Sequence, residues 1–116
     1  MGFNNTYRNK VIAYTKGLIT DARVGSDDTN FSKTDTSLGT LISGTENSTT
    51  NTDIQNGINV EYTLLEGQGN GEVVKEIEFI MNDNTQLLRE VLPDTTKTSD
   101  IQVTVAFNGF VDINDE

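Results

Sequence analysis

Apolar positions recur along this chain with two different periods. Near the start, Phe3, Tyr7, Val11, Tyr14 and Leu18 follow one another at spacings of four, four, three and four. That spacing gathers them on one side of a helix. A helix is expected over residues 5–16, with Asn4 or Asn5 capping its start and Gly17 ending it. Arg8 and Lys10 fall largely off the apolar stripe. So short a helix is marginal by itself and must dock on something. The expected support is its own sheet or a neighbouring copy. Phe3, Tyr7, Val11 and Tyr14, with Arg8 and Lys10 beside them, are therefore the candidate assembly interface.

After the helix the period falls to two, the mark of strands. Residues 18–24 alternate loosely and predict a short strand. Residues 25–40 read as a polar loop anchored by Phe31, and residues 36–42 as a turn of helix or a short strand. Residues 43–57 hold one apolar side chain, Ile54, and are expected to form a long exposed loop or arm. Ile58, Val60, Tyr62 and Leu64 then alternate with polar residues. Residues 67–71 (GQGNG) predict a flexible turn. Residues 73–82 predict a strand with Val73, Lys75, Ile77, Phe79 and Met81 on one face and Val74, Glu76, Glu78 and Ile80 on the other, the two glutamates marking a solvated side. Asp83 and Asn84 suit a two-residue hairpin turn. Residues 86–92 return, Pro93 and Asp94 are expected to break the strand, and residues 95–99 form a loop. Ile101, Val103, Val105, Phe107, Gly109, Val111 and Ile113 share one parity, a long strand in which Gly109 is expected to allow a bulge or bend. The sum is one mainly β domain over residues 1–116: a helix within 1–17, a strand and polar loops over 18–57, and an antiparallel sheet over 58–116. An antiparallel β-sandwich or jelly-roll-like domain with one short N-terminal helix fits best.

Composition supports strands and turns. Apolar residues make up 34% of the chain, and the polar excess is mostly uncharged Thr and Asn, residues that favour strands and turns over helix. The net charge of −10 argues against nucleic acid as a partner, since phosphates need clustered Lys and Arg. The charge is uneven. Residues 1–23 hold four basic side chains and one acid, net +3, while the rest holds four bases and seventeen acids, net −13. Such ends can attract one another between copies, although the commoner reading is that the bases decorate a solvated helix. No apolar run approaches a membrane span and no stretch reads as a signal peptide, so membrane insertion is not expected.

The chemistry-bearing residues do not assemble into a motif. The chain has no Cys and no His, which removes thiolate nucleophiles, Cys-type zinc sites and the commonest neutral-pH acid–base group. Asp27, Asp28, Asn30 and Asp35 lack the order of a calcium loop and read better as a solvated turn. Glu76 and Glu78 share a strand face without a sign of the cleft that paired carboxylates need. The tail Asp112, Asp115 and Glu116 reads as a solubilising end. The glycines of residues 67–71 precede a strand, so they do not cradle a phosphate. Three sequons, at Asn4, Asn30 and Asn47, are about as many as so Asn- and Thr-rich a chain makes by chance. Tyr7, Tyr14 and Tyr62 could stack on sugars, but each lies on an apolar stripe and core packing is expected. No enzyme activity, cofactor or metal is expected.

Several runs resemble small virion proteins of tailed bacteriophages and related archaeal viruses, of tail, tail-fibre or baseplate-associated type. They are the helix followed by Ala22-Arg23-Val24-Gly25, the run Asp35-Thr36-Ser37-Leu38-Gly39, the run from Gly71 to Phe79 with Glu76-Ile77 at its centre, Leu87-Leu88-Arg89, and Thr96-Lys97-Thr98. The chain departs from that pattern at Glu78, where the family often has Gly, and over residues 43–57. The resemblance implies a virion location and a structural protein present in many copies, a homo-oligomer also touching other virion proteins. It transfers no active-site residue. The alternatives are a capsid decoration or turret protein, or a module that binds host-surface glycans through residues 26–36 and 43–57, since loops on a rigid scaffold are the usual place for such a site.

Overall fold

The computed structural model describes residues 5–30, 37–55 and 57–110. The expectations for Phe3, Phe31, Asp35, Val111, Ile113 and the acidic tail lie outside the described residues. Helix α1 (Asn5–Leu18) leads into β1 (Ile19–Gly25), followed by β2 (Asn47–Ser48), β3 (Thr50–Ile54), β4 (Gly57–Leu64), β5 (Val73–Met81), β6 (Gln86–Thr96) and β7 (Val103–Phe110). The strands form two antiparallel sheets, ordered β2-β1-β5-β6 and β3-β4-β7. The chain is thus mainly β and sandwich-like, as its alternation predicts. The seven strands among the described residues are one short of the eight in a jelly roll.

The core lies between the sheets. Ile58, Val60, Tyr62 and Leu64 of β4 are almost wholly buried, as are Ala22 and Val24 of β1 and Val74, Ile77 and Phe79 of β5. Phe79 meets Phe107 of β7 edge to face, with ring centroids 4.7 Å apart, a geometry favoured by the ring quadrupoles. The Tyr62 hydroxyl donates to the carbonyl of Thr45 at 2.6 Å, and burial pushes its pKa well above the ordinary value.

Five expectations about the strands change. Residues 43–57 are not a loop. They contain β2 and β3, which pair with β1 and β4. Backbone pairing and side-chain amides do there what apolar side chains do elsewhere. Asn47 Nδ2 donates to the Thr63 carbonyl, and Asn51 Nδ2 to the carbonyls of Lys16 and Ile19, capping the end of α1. Pro93 does not end a strand either. β6 runs through it at the sheet margin, where the register shifts between Val74 and Glu76 of β5, a place that tolerates a missing N–H. The β5–β6 turn is longer than two residues: Asn84 N bonds Met81 O, Met81 N bonds Thr85 O, and Asn84 has φ 68°. That is a three-residue turn closed by a left-handed residue. Gly109 makes no bulge, because β4 and β7 stay in register from Leu64↔Val103 to Gly57↔Phe110. The fifth change concerns the β5 glutamates.

Candidate functional site

Glu76 and Glu78 are not on a solvated side. Both are essentially buried, on the sheet face opposite Phe79. The cross-strand register explains why. Glu78 stands directly across from Arg23 on β1 and from Arg89 on β6. Arg23 Nε donates to Glu78 Oε2 at 2.7 Å and Gln86 Nε2 to Glu78 Oε1 at 2.8 Å. Arg89 reaches diagonally, its Nε donating to Glu76 Oε1 at 2.8 Å with both side chains buried.

Glu76 is the hub. Besides Arg89 it accepts three backbone N–H groups: Gly39 at 2.8 Å, Thr40 at 3.0 Å and Asp27 at 2.9 Å. Arg89 in turn donates to the carbonyls of Thr29 and Asp27. One carboxylate thus ties the loops on both sides of residues 31–36 to the middle of the sheet. Burial alone would raise the Glu76 pKa. The Arg89 guanidinium and the N–H groups of Thr40, Gly39 and Asp27 outweigh it and hold the carboxyl below its ordinary value. Glu46 at the outer rim behaves oppositely. A side-chain hydrogen bond with Asp21, then burial, holds it above its ordinary value.

Gly25 and Gly39 make this approach possible. A Cβ on Gly25 would collide with the Thr40 carbonyl and the Glu76 carboxylate. Gly25→Ala is therefore expected to cost about 1–3 kcal/mol by overpacking, read from urea melts. An unchanged midpoint would show that the Thr40 loop yields freely. Gly39→Ala should cost a similar amount, because its Cβ would fall on the side chain of Asp27 as far back as the Asp27 Cβ, and the Asp27 backbone is held by Glu76 and Arg89.

A second buried charge closes the fold at the β4–β5 crossover. Lys97 is wholly buried, and its Nζ donates to the carbonyls of Glu66 and Thr98 and to Asn70 Oδ1 at 2.8–3.0 Å. Its backbone bonds Gly71 and Glu72. The glycine-rich turn, expected to be flexible, is pinned from inside.

The helix docks differently from the expectation. Ile12 is its buried side chain, and Asn5, Arg8, Asn9, Ile12 and Ala13 face Asp53 and Ile54 of β3 across a hollow of about 270 Å³. Lys16 Nζ lies 3.0 Å from Asp53. The orientation is set where α1 runs straight into β1: Asn82 N bonds the Leu18 carbonyl and Asn51 caps the last turn. Of the candidate interface, Tyr7 is 48% and Tyr14 70% exposed. Lys10 is exposed between them, and Val11 and Arg8 are half-buried. Tyr62 packs in the core as expected, whereas Tyr7 and Tyr14 point away from it.

Among the described residues no three His, Cys, Asp or Glu side chains stand together as metal ligands, and no helix is long and apolar enough to cross a membrane. Asp27 Oδ1 accepts from Thr29 N and Oγ1 instead. A second hollow, of about 430 Å³, is lined by Ser26, Thr40–Ser43 and the glycine-rich turn, with Glu72 as its ionisable side chain. Neither hollow sets a nucleophile beside a base. Comparison with family models, curated proteins and solved structures finds no match.

Sequence reading missed the roles of Arg89, Lys97, Gly25 and Gly39 in these clusters. Gly25, Gly39, Glu76 and Arg89 meet at one carboxylate, and Lys97 fastens the turn that leads into the same strand.

Proposed function

We propose that this chain is a structural protein of a virus particle, present in many copies in a tail, baseplate or fibre and without enzymatic activity. One observation carries the reading: α1 holds to the body through Ile12 and turns Tyr7 and Tyr14 outward. Half-exposed aromatics on a rigid helix are contact surface without chemistry. The internal use of Glu76, Glu78, Arg23, Arg89 and Lys97 supports it, since these charges are spent on holding the shape. So does the resemblance, whose residues build that cluster. A capsid decoration or turret position uses the same surface. The glycan-binding alternative is weaker, because residues 43–57 are largely paired strand.

The direct test is mass spectrometry of purified particles from a culture whose viral genome encodes this chain. The protein is expected in them at many copies per particle, and its absence from clean particles would refute the proposal. At the protein level, Tyr14→Ser should change stability by less than about 0.5 kcal/mol while weakening self-association. Equal association of the two proteins would remove Tyr14 from the interface.

A further inference from the structure

The strands at the sheet margins are not alike. β2 is two residues long. β6 carries Pro93, Glu90, Asp94 and two register shifts against β5. β3 carries Asp53, paired with Lys16, and lies against the helix. Short length, Pro, charge, irregular register and a covering helix are the devices by which proteins block unwanted strand pairing. β7 has none of them. Val103–Phe110 contains no charged residue and no Pro, and it keeps one register with β4 over eight pairs. Its other edge carries no strand among the described residues. Val103, Val105 and Phe107 pack against the core from this edge yet are only half-buried, as are Leu88 and Leu92 of β6. Leu87 is 41% exposed nearby in sequence. The sandwich is therefore open along the side where its least protected strand lies.

We propose that β7 is a pairing strand whose occupant is β7 of a second copy, docked antiparallel so that two three-stranded sheets become one sheet of six. The proposal rests on the multi-copy reading above and names the strand that makes one of its contacts. An antiparallel two-fold sets each residue against another of the same strand. About an axis near Ala106, Val105 of one copy lies beside Phe107 of the other, which covers the half-open core. Thr104 lies beside Asn108, extending the outward ladder that β4 and β7 already make through Asn59–Asn108 at 2.8 Å and Thr63–Thr104 at 3.4 Å. This uncharged edge is where a like copy meets the least repulsion. The chain carries −10 overall, so two copies repel across most of their surfaces and approach most easily where neither has a charge.

The test is the full chain with Thr104→Lys and Asn108→Lys together, compared with wild type by light scattering. Both side chains are exposed, so the fold should hold, checked by an unchanged circular dichroism spectrum. The two lysines reduce the net negative charge, so weaker association cannot be laid to bulk repulsion. The expected result is at least about a tenfold loss of dimer affinity, since like charges meet across the new strand pair. In wild type, hydrogen exchange of amides in residues 103–110 should slow as concentration rises. Normal assembly by the double variant, with concentration-independent exchange in β7, would overturn the edge proposal while leaving assembly through the helix intact. A wild type that stays monomeric at every concentration would overturn both, and would leave the edge to a strand of some other protein.

Discussion

Glu76→Gln should destabilise the protein by about 3–5 kcal/mol and lower Tm by more than about 10 °C. Glutamine keeps the size and removes the charge. Its single amide oxygen cannot serve Arg89 Nε and the three N–H groups of Asp27, Gly39 and Thr40, and its NH2 turns a donor toward donors. The buried Arg89 guanidinium loses its Glu76 carboxylate partner, while the carbonyls of Thr29 and Asp27 remain as neutral acceptors. For 116 residues the whole stability is on the order of 6–17 kcal/mol, so the loss is a large share of it. The pH dependence follows from the same contacts. The Glu76 pKa is depressed in the folded state, so its stabilisation is complete above the ordinary value of 4.5 and is lost as pH falls through the folded pKa. The variant should lack that acid limb. Glu46, shifted the other way, contributes equally to both proteins and cancels in the difference. A wild-type-minus-variant stability that stays flat from neutral pH down through the acid range would show that Glu76 is not the charged hub of the fold.

Lys97→Met is the second large effect, about 2–4 kcal/mol. Methionine fills much of the volume but leaves the carbonyls of Glu66 and Thr98 and Asn70 Oδ1 without their donor. The damage should be local at first. Gly69 and Gly71 hold positive φ in this turn; without the ammonium Glu66 and Asn70 lose their common anchor, and Gln68, bonded to Asn47 and Gly44, holds the middle of the turn. Hydrogen exchange over residues 65–72 should speed up more than exchange in β1 or β5. If both regions accelerate equally, the turn is part of the global unfolding unit and Lys97 is not its separate fastener.

The fold was legible where one face of a strand is dry. Ile58, Val60, Tyr62 and Leu64 alternate because β4 has one core face and one wet face, and the reading of that strand held. β5 obscures the rule because both of its faces are buried. Alternation assigned Glu76 and Glu78 to solvent. Their covers, Arg23, Arg89 and the backbone of Asp27, Gly39 and Thr40, come from elsewhere in the chain, and a backbone N–H has no letter in a sequence. β2 and β3 were missed for a related reason. A run such as Thr50–Ile54 owes its strand to pairing with β4 and to the amide of Asn51, and neither leaves an apolar pattern. In α1 the stripe from Tyr7 to Tyr14 was correctly seen as a face. Which face docks was decided by the junction at Leu18 and the cap from Asn51, and these select Ile12.

The two outward features complement each other. The proposed β7 pair would join two copies about a two-fold, a closed contact. The helices lie outside that strand, with Tyr7, Lys10 and Tyr14 exposed. In the proposed particle, pairs would be joined into larger arrays by a second contact at this aromatic face of the helix. A protein built this way needs a stiff interior, and the buried Arg–Glu cluster and Lys97 supply one.

Sedimentation velocity of the intact chain, from dilute to concentrated solution at neutral pH, tests most directly whether this protein works through its surface. The expected result is a mass that climbs with concentration past the monomer to even-numbered species, with the dimer step strengthened at high salt, where repulsion between copies that each carry −10 is screened. A single monomer boundary at every concentration and every salt level would contradict it.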